Sequence, residues 1–390
     1  MTSPTPTPAT EPSGLSAWLR EALRSRLIWP VLALVVLLAI NVVKSPGFLS
    51  IRIQDGHLFG SLIDILRNGA PIVLVALGMT LVIATRGIDL SVGAVVAISG
   101  AFALSIVGDA PDPNDLGVVL FAVAASLVFA LVLGSWNGFL VSVLGIQPII
   151  ATLILMTAGR GIAMLITEGQ ILTVSSAPYK VIGGGYWFAL PASIIIATAL
   201  FILVAILTRK TALGMLIESV GINPEASRLA GVSSRVIIWT VYTFSAVCAA
   251  IAGLMISSNV TAADANSAGL WIEMDAILAV VLGGTSLAGG RYSLTGTLVG
   301  AFVIQTLTTT VYSVGIAPEI TLVFKALVVI AVCLLQSPRI HGAAGRRRTK
   351  PPASVASTPA ANTPGASGAV QSGTASVGAA SSTTQAKATI

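Results

Sequence analysis

Apolar residues run along this chain in long unbroken stretches, at 28–43, 61–84, 90–107, 117–143, 148–167, 191–208, 236–257, 272–290, 294–314 and 318–336. Most are near the roughly 20 apolar residues that a helix needs to cross a bilayer core about 30 Å thick. The stretches are continuous, whereas strands of a membrane barrel alternate apolar and polar positions. The pattern predicts an all-α polytopic membrane protein with about ten transmembrane helices.

Most connections between the runs are short. One exception is 168–190, which holds Gly183, Gly184 and Gly185; the other is 209–235, the longest polar break. Inside the second, Asn223 suits an N-cap and Pro224 the first helical position. Glu225 complements the helix dipole, and Gly231 suits the left-handed residue past the end. The spacing predicts a helix of about seven residues, roughly 10 Å long. Ala226, Leu229 and Ala230 would share one face, with Glu225 and Arg228 pointing elsewhere. A helix this short is unstable alone and must rest on something. Its apolar face is small for lipid headgroups and better suited to a protein socket.

Lysine and arginine set the orientation. Arg20, Arg24 and Arg26 precede the first run. Ten crossings then put Arg86, Arg209, Lys210, Arg228, Arg235, Arg291 and the cluster Arg346, Arg347, Arg348 and Lys350 on that same side. The opposite side receives Lys44, Arg52 and Lys180 beside Asp109, Asp112 and Asp115. Both termini are therefore expected in the cytoplasm. The net charge of +6 expresses this topology and gives no sign of nucleic-acid binding. No small-residue cleavage site precedes Lys44, Ser45 and Pro46, so the first run reads as an uncleaved anchor.

Three regions are expected: a disordered basic segment over 1–27, a transmembrane domain over 28–338, and a disordered, low-complexity cytoplasmic tail over 339–390. From 341 on, the chain has no acidic residue and no aromatic one. Such a segment buries too little apolar surface to offset its ordering entropy.

Catalytic chemistry has little support. No phosphate-binding loop of the Gly-x4-Gly-Lys-Ser/Thr type occurs. The two histidines, His57 and His341, are far apart, and Cys248 and Cys333 both fall inside apolar runs. Ionisable groups inside a membrane are costly, which makes them functional candidates. Asp89 opens a run at the cytoplasmic boundary, where capping of its helix explains it equally well. Arg160 lies mid-run, either in a packing salt bridge or on a pathway. Glu273 and Asp275 are read as outer-interface anchors, and Lys325 as snorkelling. Asn137 and Gln147 are polar positions at the cytoplasmic end of a hairpin, with Pro148 starting the next helix. Asp89, Asn137, Gln147, Thr152, Arg160 and Asp275 form the candidate translocation pathway. Glu273 and Asp275 face different directions, which weakens an ion-coupled carrier. Gly134 with Gly138, and Gly296 with Gly300, form small-residue faces suited to close packing. Turns 85–93 and 290–296 look faintly alike, as an internal repeat or by chance.

The loop Thr211-Ala-Leu-Gly214-x3-Glu218-x2-Gly221-x-Asn223-x2-Ala226-x2-Leu229-x-Gly231 resembles the coupling-helix signature of permeases in sugar ABC importers of the ribose/galactose class. The run from Gly78 to Gly93, Trp136-Asn-Gly138 followed by Gln147-Pro-x3-Thr152, and the glycines of 283–290 carry the same resemblance. It covers about 55 to 335. Three segments, 54–60, 153–161 and 264–275, are similar to the galactofuranose-type permease. Met215 departs from the family pattern, where many relatives carry Arg, and the tail lies outside it.

The resemblance implies a permease subunit in a bacterial inner membrane, working with an identical or homologous second permease, a cytoplasmic ABC ATPase and a periplasmic sugar-binding protein. It implies no cofactor in this chain, since ATP and Mg²⁺ bind the partner ATPase. Gly214, Glu218, Gly221, Asn223, Pro224, Ala226, Leu229 and Gly231 would form the ATPase-coupling loop. Two alternatives stand beside it, an ion-coupled secondary carrier and an ABC permease for branched-chain amino acids. Aromatics make up 6% of the chain and do not cluster, so the sugar rests on the resemblance alone.

Overall fold

The computed structural model describes residues 27–315 and 320–336. The expectations for the basic N-terminal segment, the tail, His341 and the 346–350 cluster lie outside the described residues.

The apolar runs become helices, with the first at Ile28–Lys44 (α1). Among the described residues six helices are long and apolar enough to cross a membrane: Ser61–Ala84 (α2), Leu116–Ser142 (α4), Pro148–Ile166 (α5), Ala192–Lys210 (α7), Ser234–Val260 (α10) and Leu294–Val314 (α12). Val92–Gly108 (α3) and Thr321–Gln336 (α13) are shorter, and Ala177–Lys180 (α6) is a single turn. The run 272–290 is helical only over Ile272–Leu282 (α11). Helix α11 ends where Gly284 turns left-handed at φ 84, and Gly283 before it packs on α12, where an added Cβ would lie 2.4 Å from the Gly296 carbonyl carbon.

Helix α2 is the axis of the bundle, buried continuously from Gly69 to Ala84. It runs antiparallel to α10: Gly78 abuts Ser245, while near the other end Arg67 donates to the Asn259 side chain. Small residues set these approaches. A Cβ on Gly253 would lie 2.3 Å from the Val96 carbonyl oxygen, so α3 and α10 touch through their backbones. Gly134 faces Thr243 and Ala246, Gly138 faces Trp239, and Gly300 faces Ala279. The small-residue faces thus pack within the chain. Gly253→Leu is expected to destabilise the bundle by roughly 1–3 kcal/mol or more through overpacking; thermal unfolding in detergent would register it as a lowered midpoint.

Two breaks in the helical framework matter most. Segment 85–91 links α2 to α3, with Arg86 in the left-handed region at φ 65. The carboxylate of Asp89 accepts from Ser245 Oγ at 3.0 Å. Ser245 stands opposite Gly78, six residues before the end of α2, so Asp89 lies about 9 Å inside that end. This corrects the placement at the boundary.

The second break, 261–271, links α10 to α11, with Thr261 and Trp271 left-handed at φ 52 and 64. Gly269 packs on Gly93 and Val96, and Val96 packs on Gly253. Gly253 is seven residues short of the end of α10, so Gly269 sits about 10 Å inside it. Because α2 and α10 are antiparallel, the breaks descend from opposite ends and meet. A Cβ on Gly93 would lie 2.3 Å from Glu273 Oε2 and 2.7 Å from the Gly269 carbonyl oxygen. Helices α3 and α11 therefore begin beside each other, within the depth of the bundle. The turns 85–93 and 290–296 are neighbours in space, Gly290 N–H donating to the Ala84 carbonyl at 2.9 Å. In architecture, however, break 85–91 corresponds to 261–271.

Short antiparallel strand pairs decorate the end opposite 209–235. Arg52–Gln54 (β1) pairs with His57–Phe59 (β2), and Tyr186–Trp187 (β4) with Leu190–Pro191 (β5). Leu172–Thr173 (β3) pairs with Ala262–Ala263 (β6), fastening the start of the second break.

Candidate functional site

The 209–235 loop contains two helices, Leu213–Ile222 (α8) and Pro224–Leu229 (α9). Asn223 caps α9 as expected: its Oδ1 accepts from the N–H of Glu225 and of Ala226, both at 3.0 Å. Gly231 closes it in the left-handed region at φ 85. Ser227 is the buried side of the helix, and its Oγ donates back within the helix to the Asn223 carbonyl at 2.9 Å. The other side is open. Leu229 is 84% exposed, and Ala226 and Ala230 lie exposed beside it. Glu225 and Arg228 pair at 2.9 Å on the surface, a contact of little energetic weight.

The base of this helix is held tightly. Arg86 donates to the Ile222 carbonyl, directly before the Asn223 cap. A Cβ on Gly221 would lie 1.8 Å from the Ala84 carbonyl oxygen, and one on Gly214 would lie 2.1 Å from that of Thr208. Both glycines are thus required by close backbone approach. Glu218 lines a cavity of about 330 Å³ with Thr208, Arg209, Met215 and Tyr292. Burial pushes the Tyr292 phenol above its usual value, and a hydrogen bond with Thr208 partly offsets this; the group stays neutral.

Three of the pathway candidates converge on break 85–91. Asp89 Oδ1 accepts from Ser91 N–H at 3.1 Å and Ser91 Oγ at 2.6 Å. Asn137 Nδ2 donates to Ser91 Oγ at 2.8 Å, and Thr152 Oγ1 to the Ile88 carbonyl at 3.3 Å. Asp89 is 1% exposed, so this cluster is an internal staple that fixes the start of α3. Asp89 thus bonds Ser91, the residue before α3, and holds the turn that leads into the helix; among the described residues no side chain caps α3 itself.

The other candidates lie elsewhere. Gln147 is exposed just before α5. From α5, Arg160 Nη1 donates to the carbonyls of Ala265 and Ala268 at 2.8 and 2.7 Å, pinning the second break. Asp275 is paired with Lys325 at 2.7 Å. Lys325 therefore does not snorkel, because an acid on α11 holds it in the bundle. Glu273 is 3% exposed instead of anchoring at the interface, and its Oε2 has no hydrogen-bond partner among the described residues.

Sequence reasoning passed over Arg67 and Ser245. Arg67 sits inside an apolar run, so the rule that singled out Arg160 would have found it. A serine in an apolar helix carries no such signal.

Residues 61–333 match the family described as Branched-chain amino acid transport system / permease component. That stretch begins at α2 and takes in both helix breaks and the whole 209–235 loop. The chain belongs to this permease family. It is 48% identical over 337 residues to the galactofuranose transporter permease protein of Escherichia coli, covering 84% of this chain and 96% of that one. Identity to the fructose import permease protein of Bifidobacterium longum is 42% over 339 residues, 85% and 94% of the two chains. The ribose import permease protein of Escherichia coli is 35% identical over 327 residues, 83% and 95%. No solved structure matches the permease. It is a multi-pass membrane protein whose relatives are transport components.

Proposed function

We propose that this permease is the membrane-spanning subunit of a binding-protein-dependent ABC importer for a monosaccharide of the galactofuranose, galactose or ribose kind. One observation carries the coupling part: α9 is capped at both ends, bonded at its base, and leaves Leu229 84% exposed. An apolar side chain presented this way, on an otherwise tethered six-residue helix, fits a groove in a partner protein. The similar permeases named for galactofuranose, fructose and ribose support sugar over amino acid as cargo.

The α9 end carries Arg86, Arg209, Lys210, Arg228, Arg235 and Arg291, and the other end Asp109, Asp112 and Asp115. The positive-inside rule then puts α9 in the cytoplasm of a bacterial inner-membrane protein. Counting α3 and α11 with the breaks that precede them gives ten passes and two cytoplasmic termini. A cytoplasmic ATPase, which binds ATP and Mg²⁺, grips α9. The opposite end receives the sugar from a binding protein, near the hairpin tip where Phe188 is 95% exposed. A second permease, identical or homologous, completes the pathway. Closure of the ATPase pulls on Ile222, whose carbonyl is bonded to Arg86, the first turn residue of break 85–91. The motion thereby reaches the start of α3.

An ion-coupled carrier is the competing class. Asp275 cannot serve it freely, because Lys325 neutralises it. Proteoliposomes holding the permease without an ATPase are expected to take up no galactose, fructose or ribose under a proton or sodium gradient. Gradient-driven uptake by the permease alone would overturn the assignment.

A further inference from the structure

Building on this assignment, we propose that the surface formed by α5 and the second break, around Arg160 and Trp271, is the wall of the translocation pathway that contacts the sugar, with the second permease opposite.

The first reason is backbone chemistry. Gly269 lies about 10 Å inside the end of α10 by the helix rise, yet 264–271 is non-helical and Asn266, Ser267, Leu270 and Trp271 around it are exposed. Irregular backbone at membrane depth cannot face lipid, because its peptide groups have no water to bond. It must be buried in protein or line an aqueous cavity. Within this chain it is open on one side.

The second reason is the guanidinium. Arg160 stands next to Gly159, which packs on Ala94 and Ile98 of α3, so it shares the depth of the break. Its Nη1 has two carbonyl acceptors, while Nε and Nη2 have no hydrogen bond among the described residues. One residue on, Gly161 has nothing within 4 Å of an added Cβ. Space therefore opens beside a group that still has donors to offer.

The third is a local break in an apolar surface. Outward positions of α13 are Leu322, Val323 and Leu327, a surface suited to acyl chains; on α5, Thr157 and Gly161 interrupt an outward face that also shows Ile150, Ile154 and Leu165.

Together these groups match a monosaccharide. Trp271, 45% exposed and held left-handed at the start of α11, offers a ring face to the C–H side of a sugar. Arg160 and Asn266 offer donors, and Asn266 also an acceptor, to the hydroxyls.

The test uses the full importer, reconstituted with its second permease, ATPase and binding protein and assayed with radiolabelled galactofuranose, fructose and ribose. Trp271→Ala is expected to cut uptake about ten-fold, the scale of one good contact, and to change the ratio of uptake between two competing sugars. Trp271→Phe should restore both, with thermal midpoint and binding-protein-stimulated ATP hydrolysis kept in each variant. Unchanged uptake and an unchanged ratio in Trp271→Ala would overturn the proposal. So that folding does not decide the matter, Gly161→Cys in a Cys333→Ala background is probed with a membrane-impermeant, water-soluble thiol reagent. It is expected to react, and to react more slowly during sugar turnover, while Leu327→Cys stays inert. A Gly161→Cys that only a lipid-soluble reagent reaches would show a lipid-covered face and overturn the proposal. Absence of any sugar uptake by the unsubstituted importer would instead count against the function proposed above.

Discussion

Leu229→Asp is expected to abolish ATP-driven sugar uptake while leaving the permease folded and inserted. Leu229 is 84% exposed, and a surface substitution of this kind usually changes stability by no more than about 0.5 kcal/mol. In a partner's groove the situation reverses. An unpaired carboxylate taken out of water costs several kcal/mol, and about 2.7 kcal/mol is already a hundred-fold in affinity. Co-purification of the ATPase should therefore fall at least that far, and uptake in proteoliposomes with it. Leu229→Met, which keeps volume and polarity, should retain both. An unchanged thermal midpoint in Leu229→Asp distinguishes lost docking from misfolding.

Breaking the ion pair between α11 and α13 is the change expected to cost most stability. Lys325 and Asp275 meet at 2.7 Å with side chains 11% and 14% exposed. Removing one partner leaves the other charge buried without compensation, at a cost of about 3–5 kcal/mol. Asp275→Leu or Lys325→Met alone should lower the thermal midpoint in detergent markedly. The double variant should recover most of the loss, since an apolar pair of similar volume needs no desolvation of charge. Single variants that unfold at the unsubstituted midpoint would show that the pair contributes nothing.

What could be read ahead of the structure follows from how local each signal is. Asn223 and Gly231 act within one turn of α9, so cap and stop were visible in the residues themselves. The membrane helices were visible because apolar length is a property of a single segment. Helix α8 was legible but overlooked: Leu213, Leu216, Ile217 and Val220 follow helical spacing inside what looked like a polar break. The two breaks were legible as polar connections, 85–91 and 261–271, but their depth was not: only the packing of Gly93 on Gly269 shows that α3 and α11 start inside the bundle. Partners far apart in the chain were equally hidden. Asp275 and Lys325 are 50 residues apart, and Asp89 depends on Ser245, 156 residues away. Charge alone flagged Asp89, Arg160 and Asp275 as special. Only their neighbours give them different roles: an internal staple, a pin on the second break and half of an ion pair.

The central claim is that α9 is the point where the ATPase grips the permease. Its most direct test places a photo-crosslinking residue at 229 in the assembled importer, with a second at 188, on the exposed hairpin of the opposite end. Irradiation is expected to join the ATPase to position 229 and not to 188. An ATPase captured from 188, or none captured from 229 in a complex that still imports sugar, would contradict it.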